Sequence, residues 1–275
     1  MMRLGVEVGK HTHDVAVEHG IKGVPISADQ LVKDGVDATL APLNERGLQV
    51  CQIGAFGFNP LSIDDEAQAK QTETLAQAIP LAADTGCPYI VINGGNYHPS
   101  GFGAADARNF TDASLARVAA ALKPMLELAE RHKAKLSIEP YLKTAVNSPE
   151  SFLRLKELAG GSDALRCNID VTSLYSYLDL WDPAPKVEHI CNGLAGHYGL
   201  GHVKGVALKE GFHIHVELAP ITEDATDWAQ MLRLMAPHLP ADSWLILEHM
   251  FSPEEARASL SHLRKAADAA GLILE

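Results

Sequence analysis

Four residues able to bind a metal or move a proton recur at intervals along the chain. They are Glu139, Asp170, His202 and Glu248, separated by 31, 32 and 46 residues. Three of them close short apolar runs: AKLSIE ends in Glu139, LRCNID in Asp170 and WLILE in Glu248, while His202 lies inside GHVKGV. Carboxylates gathered at one place and withdrawn from water repel one another, and each costs several kcal/mol or takes up a proton. A divalent cation removes the conflict. A mixed imidazole and carboxylate set suits Mn²⁺, Co²⁺, Zn²⁺ or Mg²⁺. Taken singly, each residue reads equally well as a helix N-cap or half of an ion pair. Four residues of ligand type on four consecutive strands point to a metal.

The elements that must position them alternate. Strands are expected at Arg3–Val8, Gly23–Ser27, Leu48–Ala55, Tyr89–Asn93, Ala134–Glu139, Leu165–Asp170, Gly201–Val206 and Trp244–Glu248. Helical patterns follow around Asp14–His19 and at Val36–Arg46, Glu66–Thr85, Asp106–Lys133, Pro149–Ala159, Pro185–Tyr198 and Pro253–Ala270. Ser148 and Ser252 each precede a proline, the usual N-cap and first-turn pair. Parallel neighbours need a crossover helix, so eight such units predict a (β/α)8 TIM barrel. The active site of such a barrel lies at the C-terminal ends of its strands, where Glu139, Asp170 and Glu248 stand. The chain of 275 residues suits one barrel of roughly 250 residues, and without a linker or composition break residues 1–275 read as a single domain.

Bulk properties narrow the partners. A net charge of −12 disfavours nucleic acid, whose binding draws on clustered Lys and Arg. No stretch approaches the ~20 apolar residues of a membrane helix, and the N-terminus lacks a signal-peptide pattern. Cys51, Cys87, Cys167 and Cys191 are dispersed with no C-x-x-C pair, which reads as reduced thiols and a cytoplasmic location.

In order along the chain, Ser137–Pro140 (SIEP), Asn168–Asp170 (NID), His202–Lys204 (HVK) and Leu245–His249 (LILEH) resemble the sugar-phosphate isomerase/epimerase superfamily, the xylose isomerase-like barrels that include endonuclease IV. Gly47–Leu61 is similar to that family's third strand and following loop. The resemblance implies one divalent cation on Glu139, Asp170, His202 and Glu248. It also implies a carbohydrate substrate chelated through its carbonyl and a neighbouring hydroxyl, and α-proton abstraction to a metal-bound enediolate, with Glu248 and Glu139 as the acid/base pair. The expected function is a metal-dependent isomerase or epimerase of a keto-sugar or related polyol. Homo-oligomers are frequent in the family.

Two departures keep a lyase open, acting on a keto-inositol or an oxidised (3-keto) glycoside with the same proton abstraction. Relatives commonly carry histidine three residues after the sixth-strand aspartate, where this chain has Ser173. Sugar epimerases often carry a second glutamate soon after the fifth strand, whereas Tyr141–Asn147 offers only Lys143. Phosphodiester hydrolysis is disfavoured by the acidic balance, and a non-catalytic barrel would retain no divalent ion.

Further candidates on the same face for substrate contact are His98, Lys143, Lys204, His13 and His215. His98 follows the fourth strand and His11 and His13 follow the first. Lys204 shares His202's side of its strand, and His213 and His215 lie two apart in an extended segment. Each reads also as an ordinary loop or surface residue. Glu7 fits either an ion pair or a pocket wall, and Gly94-Gly95 fits a plain turn better than a phosphate cradle.

Overall fold

The computed structural model describes residues 1–275, apart from the side chain of Phe102. The barrel strands are β1 (Leu4–Val6), β2 (Gly23–Ser27), β3 (Gln49–Ala55), β4 (Tyr89–Asn93), β5 (Lys135–Glu139), β6 (Leu165–Ile169), β7 (Tyr198–Val203) and β10 (Leu245–Leu247). They form a closed barrel in the order β1-β10-β7-β6-β5-β4-β3-β2. Between β7 and β10 the antiparallel pair β8 (Gly205–Lys209) and β9 (His215–Ala219) forms a separate hairpin. The helices are α1 (Thr12–Glu18), α2 (Ala28–Asn44), α3 (Asp65–Ala82), α4 (Asp112–His132), α5 (Pro149–Leu158), α6 (Ala184–Gly193), α7 (Trp228–Met235) and α8 (Pro253–Ala269).

Two compact units share these elements, one comprising Met1–Pro25, Arg46–Cys51 and Ile169–Glu275, the other Ile26–Glu45 and Gln52–Asn168. In the first, β10 sits between β1 and β7, pairing Leu245 with Leu4 and Gly201, and Ile246 with Gly5 and His202. In the second, β4 pairs with β3 and β5, and its last residue Asn93 is in register with Glu139. Helices open just beyond strand ends because a polar side chain there takes up an orphan amide. Ser148 accepts from Ser151 N at 3.2 Å, and the Ser151 hydroxyl accepts from Ser148 N at 3.0 Å. Ser252 accepts from Glu255 N at 3.1 Å, again with proline next.

Several expected boundaries shift. The helix expected at Val36–Arg46 begins eight residues earlier, and its sequence pattern breaks where Gly35 bends the chain at φ 78° and ψ 170°. The seventh strand runs over Tyr198–Val203, whereas Gly201–Val206 was expected. Lys204 ends it, and Gly205 starts the hairpin. A run such as HVKGV carries no mark separating a parallel strand from the antiparallel one that follows. The hairpin and α7 were not expected at all. Gly94-Gly95 is a turn: Asn93 Oδ1 accepts from Gly95 N at 2.7 Å, and Gly95's carbonyl accepts from Ala145 N at 2.8 Å.

Candidate metal centre

Asp170 follows β6 directly, Glu248 follows β10 directly, and His202 stands one residue before the end of β7. All three side chains are buried, and each offers a ligand atom within 4.8 Å of the others. Glu248 Oε2 lies 3.4 Å from His202 Nδ1. Lys204, the first residue past β7, turns its ammonium back onto the same group. It donates to Asp170 Oδ2 and, at 2.9 Å, to Glu248 Oε1. The buried carboxylates thus share one cationic head.

The loop after β6 holds Asp170 from the other side. Ser173 Oγ donates to Asp170 Oδ2 at 2.7 Å and Ser173 N to Oδ1 at 3.3 Å. Thr172 Oγ1 donates to the Lys204 carbonyl at 3.0 Å. Ser173 therefore orients the aspartate through two hydrogen bonds, the kind of outer contact that would position a metal ligand.

Charge is unevenly spread over this site. Burial opposes ionisation of Glu248, yet the neighbouring His202 and Lys204 outweigh it and hold the carboxyl well below the usual range. Glu7, just past β1, goes the other way: burial first and then the charge of Glu248 raise its pKa. Glu7 also lines the groove past β1. His249 follows Glu248 with φ 58°, a conformation uncommon for a residue with a side chain, and its Nε2 is 3.6 Å from Glu248 Oε1. Sequence reasoning passed over His249, which stood in the quoted LILEH motif.

The other expected site residues stand on separate strands and loops. Glu139 is the half-buried last residue of β5. His98 lines a cavity of about 410 Å³ between the loops after β3 and β4. Lys143 reaches the Gly103 carbonyl at 3.3 Å and lies 5.5 Å from the Tyr141 ring. His13 lines a groove of about 400 Å³ with Glu7 and Lys10. His215 sits on the hairpin with a side chain 67% exposed, 3.4 Å from Glu217, so the structure does not gather it with the carboxylates. All four cysteines are buried thiols. No helix among the described residues is long and apolar enough to cross a membrane.

One group of residues escaped the sequence altogether. Asn59 Nδ2 donates to the Asn96 carbonyl at 2.7 Å, and Asn59 Oδ1 accepts from Asn96 N at 2.9 Å. Asn109 Nδ2 donates to Asn96 Oδ1 at 2.7 Å and to the Lys143 carbonyl at 2.8 Å. Three asparagines thereby tie together the loops after β3, β4 and β5. In the sequence each is only a turn-favouring residue.

An eight-stranded parallel barrel with a buried acidic and imidazole cluster at its strand ends defines a class of α/β barrel proteins suited to holding a divalent ion. Residues 13–266 match the family model described as xylose isomerase-like TIM barrel, and the chain belongs to that family. No curated protein matches it. Among solved structures it is similar to 3-keto-D-glucoside 4-epimerase YcjR from E. coli at 16% identity and TM-score 0.69, covering 96% of this chain and 100% of that one. It is similar to a xylose isomerase-like TIM barrel protein from Mycobacterium smegmatis in complex with magnesium, at 16% identity and TM-score 0.70, covering 94% and 87%. The probable 3-DHS dehydratase AsbF from Bacillus anthracis shares 16% identity and TM-score 0.67 over 96% and 98%. Likeness at this identity shows the common fold.

Proposed function

We propose that the protein is a divalent-metal-dependent isomerase or epimerase of a keto-sugar or related polyol. One observation carries the reading: Asp170, His202 and Glu248, buried at the ends of neighbouring strands, each offer a ligand atom within 4.8 Å of the others, and Glu139, which ends β5, is the fourth ligand of the proposal. Three carboxylates, one imidazole and the single ammonium of Lys204 leave the group negative, which fits a doubly charged cation. These four residues would hold it. When bound, such a cation polarises the substrate carbonyl and acidifies the adjacent C–H.

This chain's own side chains do the rest. Glu248 takes the proton α to the carbonyl and Glu139 returns one to the enediolate, positioned transfers worth about 10²–10⁴-fold. Lys204 compensates the buried carboxylates and faces developing negative charge on substrate oxygen. Ser173 keeps Asp170 aimed, and His98 contacts substrate hydroxyls. The working compartment is the cytoplasm. Incubation of ketoses with the Mn²⁺-loaded protein in D₂O tests the reading. Deuterium should appear at the carbon beside the carbonyl, and turnover without it removes the enediolate route.

The lyase reading draws on a specific feature. The loop after β5 brings no second carboxylate, and its Lys143 turns to the Gly103 carbonyl. Loss of water or of an aglycone from a keto-inositol or 3-keto-glycoside, without an epimeric product, would identify that reaction.

A further inference from the structure

The cavity of about 410 Å³ beside β4 has a chemistry of its own. Its apolar wall is Phe56, with Ile63 and Pro99; its polar wall is Asn59, Asn93 and His98. Phe56 is 38% exposed and Ile63 55% exposed, large apolar side chains left partly in water where the loop leaves β3. The Phe56 ring leans on Gly54, where an added Cβ would meet ring carbons at 2.8 and 3.1 Å. A glycine floor thus holds the ring in place.

The polar lining is equally constrained. Ser100 N donates to His98 Nδ1 at 3.2 Å, and an amide can only donate, so in the neutral ring the proton is on Nε2. His98 N is itself anchored by Asn96 Oδ1 at 2.8 Å, within the asparagine network. Asn93, which also lines the cavity, is the register partner of Glu139 on β5. An aromatic side chain and fixed hydrogen-bonding groups lining one cavity suit a pyranose ring, whose C–H face is apolar and whose rim carries hydroxyls.

We infer that this cavity is a subsite for a second ring, so that the substrate is a glycoside or disaccharide whose reacting ring lies at Glu139 and whose linked ring rests on Phe56 under His98. The proposal rests on the reading of Glu139 as part of the reacting site. A free monosaccharide would leave the cavity filled only with water, and recognition of the second ring would be worth about tenfold or more in affinity.

Calorimetric titration of the Mn²⁺-loaded protein with cellobiose and with methyl β-D-glucopyranoside tests this without relying on turnover. Cellobiose should bind at least tenfold more tightly, F56A and H98Q should each cut that preference at least fivefold, and in F56A methyl glucoside binding should stay constant. Variants are compared only after their circular dichroism matches the parent's, and F56L, which keeps an apolar contact but no ring, should fall between. Equal affinity for the two probes, binding of neither, or a preference untouched by F56A and H98Q overturns the subsite. E139Q should weaken both probes alike. If it weakens neither while the F56A effect stands, the assignment of the reacting site fails and the second-ring subsite survives.

Discussion

Two buried lysines at opposite ends of β6 show what separates a supporting contact from a working one. Lys156, on α5, reaches the carbonyl of Leu165 at the start of the strand at 3.2 Å. Lys204 reaches Asp170, just past the strand's other end. Their side chains are similarly covered, 10% and 7% exposed. Their partners differ. Asp163, 3.8 Å from Lys156, is 88% exposed, whereas Asp170 and Glu248 are 1% and 3% exposed. An exposed partner is satisfied by water and gains little from the pair. Buried partners depend on the lysine, and losing it strands two charges. Burial of a cation is thus common to both ends, and burial of its counter-charges marks the end that carries Asp170 and Glu248.

Substitutions at the two ends should break this symmetry by graded amounts. The largest effect is expected from E248Q, which removes the proposed base while keeping the side chain's shape. The turnover number should fall by about 10³-fold or more with folding intact, checked by steady-state rates alongside circular dichroism. Next comes K204M. Leaving Asp170 and Glu248 without their ammonium should cost about 3–5 kcal/mol in denaturant unfolding of the metal-free protein, and added Mn²⁺ should recover part of it. S173A removes the hydroxyl that aims Asp170, and Mn²⁺ affinity should drop about 10–100-fold by titration.

K156M, the matched substitution at the start of β6, should cost only about 1 kcal/mol. A cost near that of K204M would erase the contrast between the two ends. The smallest effect is a pH slope. Burial, followed by the charge of Arg166, lowers the Lys156 pKa below its ordinary value of 10.5. The folded state therefore holds fewer protons than the unfolded state between those two pKa values, so stability rises with pH across that window. Its penalty is complete below the folded pKa and relieved as pH climbs toward 10.5. The parent's unfolding free energy should rise relative to that of K156M as the buffer is made alkaline, and parallel pH curves would remove Lys156 as the cause.

The carboxylate end of the molecule was legible because each ligand interrupts or closes an apolar run, a contrast any reader of the chain can see. Asp170 after LRCNI and Glu248 after WLIL need no knowledge of register. Ser173 and Lys204 were visible as departures or neighbours, but their hydrogen bonds depend on how the chain turns after β6 and β7. Gly35 hid the first half of α2 by breaking its periodicity, and the hairpin merged with β7 because Lys204-Gly205 gives no turn signal of its own. Asn59, Asn96 and Asn109 were illegible for another reason: they bond to one another and to backbone groups of neighbouring loops, pairings that composition cannot encode.

Manganese binding to the purified, chelator-treated protein, followed by electron paramagnetic resonance, addresses the metal directly. One tightly held Mn²⁺ per chain is expected, lost in H202A and in D170N. A protein that retains no Mn²⁺, or retains it unchanged in both variants, contradicts a metal at the ends of β5, β6, β7 and β10.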